Sequence, residues 1–163
     1  MRFLLPSLLL AALLTGCASQ KPSATQSTKA TAEQPATANP VIVFRKTPCF
    51  GTCPHYEASI YADGRVSYEG FKYAPVEGKR ELKMAIKTVN NILAEARAAR
   101  FTELQENYAA GVSDLPSTVL TISPAIGPAK TVTVEGTAPV ELQNLLSYVQ
   151  KQVKESLEAS ATR

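Results

Sequence analysis

Between Ala18 and Pro40 the chain holds no valine, isoleucine, leucine, methionine or aromatic residue, and then Val41-Ile42-Val43-Phe44 follow one another. A segment without large apolar side chains buries too little surface to offset the entropy of ordering it. Residues 17–40, Cys17 and the segment behind it, therefore read as a disordered tether, and what folds begins at Val41. As a flexible chain the tether's ends sit about 25–30 Å apart, with a ceiling of about 75 Å when drawn straight. The rest of the 163 residues suits one modest domain over 41–157 and a frayed tail at 158–163. A hydrophobic fraction of 45% and a charged fraction of 19% exclude a wholly disordered chain and a multi-span membrane protein. The net charge of +3 gives no basic footprint for nucleic acid, which is not expected as a partner.

Residues 1–16 read as a leader. Arg2 supplies the positive start, and Phe3 to Leu14 form an apolar stretch interrupted by Pro6 and Ser7. At about 1.5 Å per residue this stretch is roughly 18 Å long as a helix, short of a bilayer core of about 30 Å, which favours a signal peptide over a permanent span. Leu14-Thr15-Gly16-Cys17 resembles the lipobox of bacterial lipoproteins. The resemblance implies cleavage before Cys17 and acylation of that residue, with the lipid bilayer as a partner through its two or three chains. Ala18-Ser19 lacks the aspartate that retains enteric lipoproteins at the inner membrane, which by the same resemblance implies the outer membrane.

In the domain, Val41–Phe44 reads as a first strand, bounded by Pro40 and Pro48. His55 to Tyr61 alternates, with Tyr56, Ala58 and Ile60 on one face. Asp63-Gly64 signals a hairpin. A three-residue loop Ala62-Asp63-Gly64, with Gly64 left-handed, sets Ile60 opposite Val66 and Ala58 opposite Tyr68, and only that register makes one face consistently apolar. A third strand then runs from Arg65 to about Lys72. Over 79–98 the recurrence of Leu82, Ile86, Val89, Leu93 and Ala96 predicts a helix, with Phe101 and Leu104 closing over its end. Residues 105–116 read as a long loop, Thr118–Ser123 and Lys130–Glu135 as two strands joined by the Pro124–Pro128 turn, and Pro139 as the start of a second amphipathic helix of about 18 residues. The order β-β-β-α-β-β-α lacks strand–helix alternation. It predicts an α+β fold, an antiparallel sheet of about five strands with two helices on one face.

The densest chemistry lies in Pro48-Cys49-Phe50-Gly51-Thr52-Cys53-Pro54-His55. Two cysteines four apart, with Gly51 free to adopt a positive φ, suit a disulfide in an oxidising envelope, worth about 2 kcal/mol on loop entropy. With Cys17 acylated, Cys49 and Cys53 are the only thiols left to pair. The alternative is metal or redox work, because Cys49, Cys53 and His55 together suit Cu(I). No other catalytic set is recognisable: His55 is the sole histidine, and Glu57 and Glu69, though near across the hairpin, read as solvated carboxylates. Lys79, Lys83 and Lys87 with Arg80 form a basic stripe on the predicted first helix, a candidate contact for an anionic envelope component. Tyr108 and Asp114 are candidates for a binding edge, with a turn held by Asp114 bonding to nearby amides as the plainer reading.

Cys49-Phe50-Gly51-Thr52-Cys53-Pro54-x-Tyr56, then Ile60-x-x-Asp63-Gly64-x-Val66-x-Tyr68-x-Gly70, then Tyr108 and Asp114-Leu115-Pro116, together resemble an uncharacterised bacterial envelope domain family over about residues 41–153. The resemblance implies an address and a fold, and no reaction. It also implies variation at position 55, which weighs against a metal role. The expectation is therefore a lipid-anchored, non-enzymatic envelope domain without a cofactor, which binds another envelope protein or an anionic envelope component or serves a structural role. A copper-binding or thiol-redox protein is the alternative.

Overall fold

The computed structural model describes residues 39–111 and 114–162. The expected leader, Cys17 and the tether up to residue 38 lie outside them. The described chain runs β1 (Ile42–Lys46), β2 (Tyr56–Ile60), β3 (Arg65–Gly70), β4 (Gly78–Lys83), α1 (Ile86–Ala98), a short 3-10 turn (Phe101–Glu103), β5 (Asn107–Tyr108), β6 (Thr118–Ile122), β7 (Lys130–Val134) and α2 (Val140–Ala161). One sheet holds all the strands in the order β4-β3-β2-β1-β6-β7-β5. The pairing is antiparallel except for β5 with β7.

The β2–β3 hairpin takes the register that apolar pairing demands, Ile60 opposite Val66 and Ala58 opposite Tyr68. Gly64 has φ 84°, Tyr61 N–H donates to the Arg65 carbonyl, and Asp63 Oδ1 accepts from Arg65 N–H at 3.0 Å. One sheet face carries Ile42, Phe44, Tyr56, Ala58, Ile60, Val66, Tyr68 and Leu120, all buried, and forms a single core with Val89 and Ile92 of α1 and Leu142, Leu145, Val149 and Val153 of α2. The opposite face is mostly polar and half-exposed, as strand alternation requires of a sheet covered on one side.

The fold class is α+β with two α-helices, and the sheet has seven strands where about five were expected. Two elements account for the difference. Residues 78–83 form strand β4, not the first turns of a helix: Leu82 sits opposite Val66 and Gly78 opposite Gly70, so β4 extends the hairpin into a meander. The apparent helical period was extended backwards by Leu82, which is buried from a strand, and by Ile86, which is 54% exposed; the buried stripe of α1 is Val89, Ile92 and Ala96. Within the expected loop, Asn107–Tyr108 pair in parallel with Thr133–Val134, a contact that a two-residue strand cannot advertise locally. At the C-terminus α2 continues through Ala161, past the point where fraying was expected, with Ser156 and Leu157 buried. Among the described residues no helix is long and apolar enough to cross a membrane.

Candidate functional site

The β1–β2, β3–β4, β5–β6 and β7–α2 connections all leave the same end of the sheet. Backbone bonds tie them down: Thr47 N–H donates to the Ser117 carbonyl at 3.0 Å, Phe71 N–H to the His55 carbonyl at 2.9 Å, and Glu135 N–H to the Tyr108 carbonyl at 3.0 Å. Side chains add to this. Ser117 N–H donates to Thr47 Oγ1 at 2.7 Å, Ser117 Oγ donates to Glu135 Oε1 at 3.1 Å, and Lys46 Nζ donates to Thr118 Oγ1 at 2.7 Å. Burial pushes the Lys46 ammonium below the usual lysine range.

In the β1–β2 connection Cys49 and Cys53 are joined as a disulfide, with their Cα atoms 5.6 Å apart. Gly51 N–H donates to Cys49 Sγ at 3.3 Å. Gly51 does not take a positive φ, contrary to expectation, and a Cβ there would meet only Cys49 Sγ at 3.8 Å. The covalent bond, rather than an unusual glycine conformation, sets the loop. Its tip projects Phe50 into solvent with 96% of its surface exposed. Fixing an aromatic side chain fully in water offers no folding benefit, and rigid exposed aromatics are what recognition surfaces use as anchors.

A cleft of about 220 Å³ separates the stapled loop from the β3–β4 connection, lined by Cys49, Phe50, Cys53, His55, Lys72 and Tyr73 among others. The His55 ring stacks on Phe71 with centroids 4.3 Å apart, and Lys72 Nζ lies 4.9 Å from the Tyr73 ring centre. Tyr73 holds φ 63°, a conformation uncommon for an aromatic residue, and stays 43% exposed. Phe71, 40% exposed and stacked on His55, extends the apolar rim, and Leu115, also 40% exposed, lies on the β5–β6 connection at the same end of the sheet. The cleft is smaller than the roughly 300 Å³ at which small-molecule sites begin, and suits one side chain of a partner.

The sequence-marked residues divide. Cys49, Cys53 and His55 line this cleft, and Tyr108 and Asp114 lie on connections at the same end. Tyr108 is a strand residue whose hydroxyl accepts from Gln105 N–H at 3.3 Å. Asp114 is exposed at φ 66°, a left-handed conformation that aspartate tolerates better than most residues.

The basic helix stripe does not exist. Lys79, Arg80 and Lys83 lie on β4 and Lys87 alone on α1. Strand alternation sends Lys79 and Lys83 to the open face and Arg80 to the other. Lys79 Nζ meets Glu69 Oε1 at 3.7 Å, and Arg45 meets Glu57 at 3.9 Å, so Glu57 and Glu69, opposite each other in the register, are each flanked by a cation. On an edge strand such charges discourage pairing with another sheet. Phe71, Lys72 and Tyr73 carry no motif; the available signal was three large side chains in succession beyond the end of a strand.

With Cys49 and Cys53 bonded, neither sulfur is a thiolate, and a copper set with His55 requires prior reduction. Among the described residues no group of three or more histidine, cysteine, aspartate and glutamate side chains is placed to hold a metal ion. Compared with known families, residues 40–153 match the model described as Domain of unknown function (DUF6438). No curated protein matches the chain.

Proposed function

The chain belongs to the DUF6438 family, and from that premise we propose that it is a lipid-anchored module of the bacterial cell envelope that recognises another envelope protein through the stapled end of its sheet. The observation that carries this reading is Phe50, fully exposed on a covalently closed loop beside a cleft of side-chain size. A disulfide supports an oxidising compartment, the lipobox-like Leu14–Cys17 supports a lipid anchor, Ala18-Ser19 supports the outer membrane, and a tether without large apolar residues supports reach above the bilayer. Phe50 acts as the inserted anchor, Phe71 and Tyr73 exclude water around it, and Lys72 selects an acidic or carbonyl-rich neighbour.

A photo-crosslinking amino acid at position 50, in cells that carry the protein, tests the reading. A discrete protein adduct that disappears when Tyr73 is changed to Ser or when both cysteines are changed to Ser is expected. An adduct pattern indifferent to both changes overturns it.

A second reading has one observation in its favour, that His55 lines the same cleft as Cys49 and Cys53. After reduction the two thiolates and the imidazole share one opening and offer a soft set for Cu(I). Copper retention by the reduced protein, lost on Cys49→Ser, favours this reading over the first.

A further inference from the structure

At the opposite end of the sheet from the stapled loop, α1 and the turn after it stand away from the ends of β1 and β6 and leave a cleft of about 740 Å³. Its walls are mostly apolar: Val41, Leu93, Ala96, Phe101, Ile122 and Pro124. Ala96 and Phe101 are each 2% exposed and Ile122 8%, so the floor belongs to the rigid core. A cleft of this volume with apolar walls and few polar groups is the usual form of a small-molecule site.

The charged residues on its wall are Arg97, Arg100 and Glu103, beside the polar Asn39, Thr102 and Ser123. Glu103 Oε2 lies 3.9 Å from Arg100 Nη1. Arg97 forms no ion pair with a described residue, so the wall presents one unmet cation. Arg100 itself is held at φ 50°, where glycine is the usual occupant after a helix end.

We propose that this cleft binds a single long-chain carboxylate, its alkyl chain against the apolar walls and its head group on Arg97. One unmet cation matches a monoanion, and a guanidinium accommodates a carboxylate through two parallel N–H donors. Each buried methylene contributes favourably to transfer from water, which makes chain length the main source of affinity. The proposal does not depend on the stapled end.

The test is calorimetric titration of the full chain with dodecanoate, with monolauroylglycerol as a neutral ligand of equal chain length and with lauroyl lysophosphatidylglycerol as a phosphodiester. One-to-one saturable binding of dodecanoate is expected, at least tenfold tighter than that of either other ligand. Arg97→Glu should weaken dodecanoate binding about tenfold or more, the equivalent of one charge-assisted pair, and leave the neutral ester unchanged. Ala129→Trp, a filling change at an exposed lining position, should abolish binding of all three. Urea midpoints equal to that of the parent chain show that both variants fold. The proposal is overturned if dodecanoate gives no saturable heat, if the phosphodiester binds more tightly, if neither variant alters binding, or if the cleft proves closed by a second copy in a dimer that dodecanoate does not dissociate.

Discussion

Gly64→Ala tests the most consequential difference between the helical period in the sequence and the meander in the structure. Gly64 is buried at φ 84°, its carbonyl accepts from Met84 N–H at 2.8 Å, and a Cβ at this position would run into the Met84 carbonyl oxygen. An alanine in the left-handed region costs about 1–2 kcal/mol, and displacing the backbone from Met84 forfeits a hydrogen bond worth about 1 kcal/mol. The sum is about 2–3 kcal/mol, which at a urea slope of about 2 kcal/mol/M lowers the midpoint by about 1–1.5 M. Two other glycines calibrate the number. Gly111 has φ 73° with nothing within 4 Å of its would-be Cβ, so Gly111→Ala reports the backbone cost alone, about 1 kcal/mol. Gly51 has neither a positive φ nor a clash, so Gly51→Ala is expected within about 0.5 kcal/mol of the parent. Urea denaturation followed by far-ultraviolet circular dichroism measures all three. If Gly64→Ala costs no more than Gly111→Ala, Met84 does not lie over the hairpin loop, and the placement of β4 beside β3 is wrong.

Changing Cys49 and Cys53 together to serine should lower unfolding stability by about 2 kcal/mol, the loop entropy of so short a closure, with the far-ultraviolet spectrum unchanged; complete unfolding would contradict a local staple. Ile92→Ala empties a fully buried site between α1 and the sheet and should cost about 3 kcal/mol in urea denaturation, whereas Ile86→Ala, at a 54% exposed position, should cost less than about 1 kcal/mol; equal losses would restore the longer helix. Burial raises the hydroxyl pKa of Tyr56 and of Tyr68, whose hydroxyl donates to the Val76 carbonyl at 3.0 Å. Their raised folded-state values mean that the folded protein holds protons the unfolded chain releases above its ordinary tyrosine range. Stability from these groups is therefore complete below about pH 10 and falls above it. An absorbance titration at alkaline pH should show Tyr56 and Tyr68 ionising only with unfolding, and ionisation of all the tyrosines in the folded state would contradict their burial.

Legibility followed locality. The β2–β3 hairpin was readable because Asp63-Gly64 fixes the turn and the alternation on either side allows one apolar register. Helix α2 was readable because Leu142, Leu145, Leu146, Val149 and Val153 are all buried from one stripe. Strand β4 was not, because Lys79-Arg80-Glu81-Leu82-Lys83 has one buried residue and owes its conformation to pairing with β3. Strand β5 depends on β7, more than twenty residues later in the chain. The candidate site shows the same division. Cys49 and Cys53 stood out by spacing, and Phe50 was visible between them, but its exposure is a property of the folded end of the sheet. Lys72 and Tyr73 reach that end on the β3–β4 connection, remote in sequence from the stapled loop, and Arg97 and Arg100 line a cleft whose other wall is made by the residues before β1 and those at and after the end of β6. No periodicity or motif carries that kind of information.

The central claim, a stapled recognition module and not a dithiol centre, is tested most directly by intact mass on protein extracted from envelopes, alkylated under native and under reducing conditions, with metal content measured on the same sample. The account predicts a mature chain beginning at an acylated Cys17, Cys49 and Cys53 refractory to alkylation until reduced, and no bound copper. Free alkylation of both residues in the native protein, or copper at one equivalent per chain, would contradict it.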